Sequence, residues 1–177
     1  MSTKNNDKVK RIVVKSILLS VSMILSYIDS LLPFTFMNFG MKVGLSNIAI
    51  VTATILFGVK DGFIIGLLKV LVLSVIFGNF LYFVISILAF LISFFSMSVV
   101  YYLLNSFCEK YKILIMSAIG GMTHNIVQVI VVYIYLKNNI LLNLIPSFSV
   151  VGFFLGVVIG IIVNFILKIV RNYEIMR

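Results

Sequence analysis

The sequence predicts an all-α integral membrane protein, a bundle of six transmembrane helices with both termini cytoplasmic. Three observations carry that expectation. Of 177 residues, 62% are hydrophobic and 11% charged, with a mean hydropathy of +1.23; a soluble domain this small has too few charges to cover so much apolar surface. The apolar residues fall into six separate runs, close to the ~20 residues that cross a hydrocarbon core. Finally, when the runs alternate in direction, the basic residues sort to one side.

Residues 1–10 are polar and basic, and are expected to form a disordered cytoplasmic tail. The first run, Arg11–Leu32, follows Lys8 and Lys10 and has the outline of a signal peptide. The first alanine of the chain is Ala49, however, so an A-x-A cleavage site is missing and an uncleaved helix is expected. The connection Pro33–Lys42 is aromatic and apolar. It is expected to fold back over the outer mouth, either as an interfacial anchor or as a substrate lid.

The second and third runs, Val43–Gly58 and Gly62–Phe77, would span only ~24 Å each at 1.5 Å per residue, which is short for a bilayer. Lys60-Asp61-Gly62 joins them tightly. Gly78-Asn79 leads into the fourth run, Phe80–Ser106, and Ile113–Leu136 and Ser147–Lys168 complete the set. These six runs form one domain, 11–170, followed by a short cytoplasmic tail, 171–177. No internal repeat is visible.

With the N-terminus inside, Lys4, Lys8, Lys10, Arg11, Lys15, Lys60, Lys110, Lys112, Lys168, Arg171 and Arg177 are cytoplasmic. Only Lys42 and Lys137 lie outside, and Lys69 falls within the third run. The net charge of +9 therefore reports topology rather than nucleic-acid affinity.

The same inventory excludes several chemistries. Cys108 is the only cysteine, so no intramolecular disulfide forms. His124 is the only histidine, and Asp7, Asp29, Asp61, Glu109 and Glu174 stand apart in sequence. Neither a transition-metal cage nor paired acids holding magnesium on a diphosphate are expected. The chain carries no G-x-x-x-x-G-K-[ST] phosphate loop, so it does not hydrolyse ATP by that route.

Against this apolar background a few polar residues stand out. The fifth run holds Gly120-Gly-Met-Thr-His124-Asn-Ile-Val-Gln128, in which glycine, imidazole and amide share one helical face. Such a face suits either a ligand or interhelical hydrogen bonds worth roughly 0.6 kcal/mol each. Lys69 lies roughly 10 Å inside the third run, at a cost of some 2.5–3.5 kcal/mol unless paired or hydrated. No carboxylate is expected at its depth, leaving an anionic or electron-rich ligand, snorkelling, or pairing with Asp61 to stabilise it. Lys42, with Asn47 just below, is a second candidate at the entrance. Ser16-xxx-Ser20, Ser22-xxx-Ser26-xxx-Ser30 and Gly152-xxx-Gly156-xxx-Gly160 are small-residue stripes, suited to internal packing or to docking a separate membrane subunit. Tyr101, Tyr102, Tyr133 and Tyr135 read as interfacial belt residues.

Tyr27-Ile-Asp-Ser-Leu-Leu-Pro33, Gly40-Met-Lys-Val-Gly44-Leu-Ser-Asn47-Ile and Gly121-Met-Thr-His124-Asn125-Ile-Val-Gln128 together resemble the Gx transporters. That family is also labelled heptaprenyl diphosphate synthase component I, and the resemblance covers roughly residues 11–170. The family is similar to the substrate-binding S components of energy-coupling factor transporters. Those are six-helix membrane proteins that bind vitamins or related molecules and dock on a transmembrane coupling subunit driven by two ATPases.

The resemblance implies a ligand site at Lys42, Asn47, His124, Asn125 and Gln128, to which the residue reading adds Lys69. It also implies a coupling interface at Ser16 and Ser20, where S components usually carry alanine. The expected partners are membrane lipid, a small-molecule ligand and the coupling and ATPase subunits, with no nucleic acid, no metal and no resident cofactor. Catalysis is not expected, because prenyl transferases of the usual kind need aspartate-rich pairs that this chain lacks. An accessory role in prenyl or quinone metabolism, or in flavin-linked extracellular electron transfer, is the alternative implied by the family's company.

Overall fold

A computed structural model describes residues 2–31 and 44–172, with side chains from residue 8 onward. The expected outer loop, including Lys42, and residues 173–177 lie outside the described residues. The elements are α1 (Ser2–Leu31), α2 (Asn47–Phe57), α3 (Val59–Phe77), α4 (Phe80–Leu103), α5 (Glu109–Leu136), a 3-10 turn (Asn139–Leu144) and α6 (Ile145–Asn172). The described residues contain no strand.

The N-terminal residues depart from the expected disorder: α1 begins at Ser2. Nothing between Ser2 and Arg11 breaks a helix, so the apolar run propagates its hydrogen bonding outward through the polar residues, each added residue closing a further bond. The six apolar runs correspond to six helices, which differ in length and apolar character. Four helical stretches are long and apolar enough to cross a membrane, namely Lys8–Leu31, Phe80–Leu103, Glu109–Leu136 and Asn139–Asn172. α3 has 19 residues but carries Lys60, Asp61 and Lys69. α2 has 11 residues and reaches only ~16 Å.

α2 is short because the chain before it is a turn rather than a helix, and Gly58 ends it abruptly with φ +100°. It is apolar all round, as a helix enclosed by others must be. Ala49, Ile50, Val51 and Ala53 are buried, and the hydroxyls of Thr52 and Thr54 are satisfied within the helix by the carbonyls of Ile48 and Ile50, at 2.7 and 2.8 Å. α1, α3 and α6 surround it.

The helices run alternately up and down. At the end rich in Lys and Arg, Lys15 Nζ meets Asp61 Oδ2 at 2.7 Å and Arg171 meets Glu109 at 2.8 Å. These pairs join the middle of α1 to the start of α3, and the end of α6 to the start of α5. At the opposite end, Tyr27 stacks on Phe77 with centroids 6.4 Å apart, and Phe77 meets Tyr82 at 4.9 Å. That row links the far ends of α1 and α3 to the start of α4, whose first turn is capped by the Asn79 side chain accepting from Leu81 N at 2.9 Å.

The tightest packing is between α5 and α6. A Cβ added at Gly121 or Gly152 would collide with the other's carbonyl oxygen, and one at Gly156 would strike the Ser117 carbonyl. The glycine stripe of α6 is therefore buried against α5 rather than offered to a separate subunit, and backbones in close contact supply the dispersion that holds helices together in lipid. A core of Met97, Ile113, Met116, Ile159 and Val163 extends this contact towards the basic end, while Ile85, Ala89, Val129 and Val132 fill the α4–α5 seam.

Candidate functional site

Polar side chains converge between α1, α3, α4 and α5, nearer the end opposite the basic one. There a cavity of about 20 Å³ leaves room for a single water, provided polar partners surround it. α1 contributes Ser26 and Asp29, and the turn before α2 contributes Gly44 and Ser46. Lys69, Val70 and Leu73 come from α3, Tyr82 and Ser86 from α4, and His124 and Gln128 from α5.

The periodicity of each helix explains the convergence. On α1, Ser22, Ser26 and Asp29 follow a four-then-three spacing on one face, and all three are buried. On α5, His124 and Gln128 are one turn apart and meet directly, His124 Nε2 lying 2.9 Å from Gln128 Nε2. The other ring nitrogen, Nδ1, is 3.3 Å from Ser93 Oγ, whose own proton goes to the Phe90 carbonyl at 3.1 Å. Ser93 therefore accepts from Nδ1–H, and Nε2 accepts from the Gln128 amide. This pattern fits a neutral imidazole with its proton on Nδ1. One turn towards the basic end, Ser96 and Thr123 hydroxyls meet at 2.9 Å and continue the polar seam between α4 and α5.

Lys69 is 6% exposed, and its ammonium donates to Ser46 Oγ at 2.9 Å. Ser46 precedes α2 at the end remote from Phe57, so the side chain extends away from the basic surface and does not snorkel to it. Asp61 is not its partner, being engaged by Lys15. The expectation that no carboxylate shares the depth of Lys69 is also corrected: Asp29, fully buried, lines the same cavity. Helix rotation and the inward turn at residues 44–46 bring the two together, which linear position along α1 does not reveal.

Asp29 has a structural task as well. Its Oδ2 accepts from the backbone N–H of Gly44 at 2.6 Å and of Leu45 at 3.1 Å. Gly44 has φ +91°, a left-handed conformation that disfavours any side chain. A Cβ there would also stand 3.2 Å from Asn47 Nδ2 and 4.0 Å from the His124 ring. Asp29 from α1 and Lys69 from α3 thus grip one three-residue turn, Gly44-Leu45-Ser46.

The sequence-derived candidates separate into groups. Lys69, His124 and Gln128 line the cavity together. Asn47 opens α2 beside Gly44 but is not part of the lining. Asn125 faces α6, where its amide donates to the Phe148 carbonyl at 3.3 Å. Lys42 lies outside the described residues. Ser16 and Ser20 are on the exposed side of α1, Ser20 Oγ donating to the Ser16 carbonyl at 3.0 Å. Asp29, Ser26, Ser46, Tyr82 and Ser86 were not among the candidates. Asp29 carried a usable signal, a carboxylate three and seven residues beyond Ser26 and Ser22 on a helix that otherwise buries nothing charged at that end.

A second hollow lies elsewhere, between the start of α4 and the end of α5. It measures about 620 Å³ and is lined by Phe80, Leu81, Val84, Leu88, Val131 and Ile134, with Asn79 and Tyr135 as its polar members. Among the described residues, no three His, Cys, Asp or Glu side chains gather to hold a metal ion.

No curated protein and no solved structure matches the chain significantly. Residues 18–166, nearly the whole bundle and all of the cavity, match the family described as heptaprenyl diphosphate synthase component I. A multi-pass helical membrane protein with one polar cavity in an apolar bundle, the chain belongs to the heptaprenyl diphosphate synthase component I family, also called Gx transporters.

Proposed function

We propose that this chain is the substrate-binding membrane subunit of an energy-coupling-factor-type transporter, taking a small vitamin- or cofactor-like molecule. One observation carries the reading: Asp29, Lys69, His124 and Gln128, from three helices, line one cavity in an otherwise apolar bundle. Ionisable residues are rare inside membrane proteins, and line pathways or bind ligands by default. The ligand enters from outside the bacterial cell membrane and meets Lys69, His124 and Gln128. The termini are cytoplasmic, as the placement of the basic residues favours.

The chain performs no chemistry of its own in this reading. Energy comes from ATPase subunits through a transmembrane coupling subunit, which meets the exposed Ser16–Ser20 side of α1. A cavity of about 20 Å³ is too small for a vitamin, so the ligand-bound state is a wider one, reached by moving a wall. The test is mass spectrometry of small molecules released from gently purified protein. One defined polar molecule, lost from the His124→Leu/Gln128→Leu variant, supports the reading; none in either preparation counts against it.

The apolar hollow of about 620 Å³ favours a second reading, an accessory component that holds a prenyl or quinone chain for another enzyme. In that case the released molecule is a long-chain lipid, and Val84→Trp rather than the His124 variant expels it.

A further inference from the structure

We propose that α1 is a releasable wall of the polar cavity, latched at Lys15, midway along it, and at Asp29 near its far end, and swinging as a rigid helix against a fixed frame of α2–α6. The inference rests on the reading of the cavity as the ligand site, and supplies the motion by which that site opens. It follows from how unevenly α1 is held. Only 17% of its most apolar stretch is buried, against 61% for α5. Between the latches the face turned to the bundle carries Ser22 and Ser26, both buried, while its larger side chains, Leu18, Leu19, Met23 and Leu25, are only half-buried. The Ser22 hydroxyl bonds the Leu19 carbonyl of its own helix at 2.7 Å. Among the described residues, no apolar side chain of α1 is fully buried, so the helix interlocks with its neighbours less than the others do.

The latches are polar. At the basic end, Lys15 pairs with Asp61 at 2.7 Å, and Lys15 and Arg11 lie over the Phe57 ring at 5.3 and 5.9 Å. At the other end, Asp29 accepts from Gly44 and Leu45, with Tyr27 stacked on Phe77 beside it. Both latches grip the beginning or end of α2 and α3. Ser26 and Asp29 line the cavity, so releasing α1 opens it. The opposite face of α1, with Val13, Ile17, Val21 and Ile24 exposed, offers a partner a handle on the same helix. Anything that binds one position of α1 better than the other shifts cavity opening, and cavity occupancy shifts that binding in return.

The test uses the full chain with Cys108→Ser as background. Nitroxides at Ile24 and Val158 report the α1–α6 distance, and nitroxides at Phe95 and Val158 report the α4–α6 frame. In the Lys15→Ala/Asp29→Ala variant the first distance should shift or broaden by roughly 5 Å, half the ~10 Å helix diameter, while the second stays fixed. In the same variant a cysteine at Ser26 should react with a membrane-impermeant maleimide roughly tenfold faster, since its rate follows the open fraction. Two unchanged distances would mean packing, not latches, holds α1, and would overturn the proposal. Joint broadening of both pairs, or movement without faster labelling at Ser26, overturns it equally. Neither readout requires a ligand, so a preparation with a mobile α1 and no bound molecule would sink the transport reading alone.

Discussion

α5 and α1 solve the same problem in opposite ways. Both cross most of the bundle's height, yet α5 is threaded through the molecule by backbone-to-backbone contact at Gly121, Gly152 and Gly156, whereas α1 lies at the periphery, little of its most apolar stretch buried, with polar contacts at Lys15 and Asp29. In lipid, apolar surface gains little by leaving one hydrocarbon environment for another, so close packing and hydrogen bonds decide which helices are fixed. The difference teaches that α4–α6 are the most tightly packed part of the frame, and that the polar cavity sits where the frame meets a loosely held wall.

The largest expected effect breaks the frame. Gly156→Leu drives a side chain into the Ser117 carbonyl and Ala118 backbone. It should cost about 3 kcal/mol or more, the upper range for overpacking, measured as the loss of thermal or denaturant stability in detergent. The same change at an exposed α1 position, Ile24→Leu, should leave stability untouched, which makes the contrast between the helices direct.

Next comes Asp29→Ala, which strips the acceptor from two backbone N–H groups. At about 1–3 kcal/mol for an unsatisfied buried group, unfolding should register a loss of about 2 kcal/mol. Asp29→Asn, which keeps an acceptor oxygen, should recover much of it. A full loss with Asn would show that charge rather than hydrogen bonding holds the Gly44 turn. Smaller still is His124→Leu/Gln128→Leu. Two membrane hydrogen-bonding groups at roughly 0.6 kcal/mol each predict a loss of about 1 kcal/mol in the same assay, together with loss of any retained small molecule. Lys15→Ala comes last: a partly exposed ion pair contributes about 0.2–1 kcal/mol, so equilibrium stability should barely move.

Much of this organisation was legible in the sequence. Lys69, His124 and Gln128 stood out because each interrupts an apolar run, where a polar group has few innocuous explanations. The glycines of α6 were legible as a stripe, though not whether the stripe faced inward. Asp29 was not recognised, because a carboxylate near the end of a run reads as a surface residue; only the inward turn at Gly44-Leu45-Ser46 makes it a cavity residue. That turn also shortened α2: at the start of Val43–Gly58, Gly44, Ser46 and Asn47 are residue types that favour turns and helix starts, a signal that overall hydropathy hides. Asn125 illustrates the opposite limit: adjacent to His124 in sequence, it is turned ~100° around the helix and bonds Phe148 on α6 instead.

The central claim is that the cavity between α1, α3, α4 and α5 receives a small polar molecule. Its most direct measurement is mass spectrometry of what the wild type and the His124→Leu/Gln128→Leu variant each carry after the same gentle purification. A single polar species at near-stoichiometric level in the wild type, and its absence from a variant that remains folded, is the predicted result. Equal amounts of the same species in both, or none in either, would contradict the assignment of this cavity as the binding site.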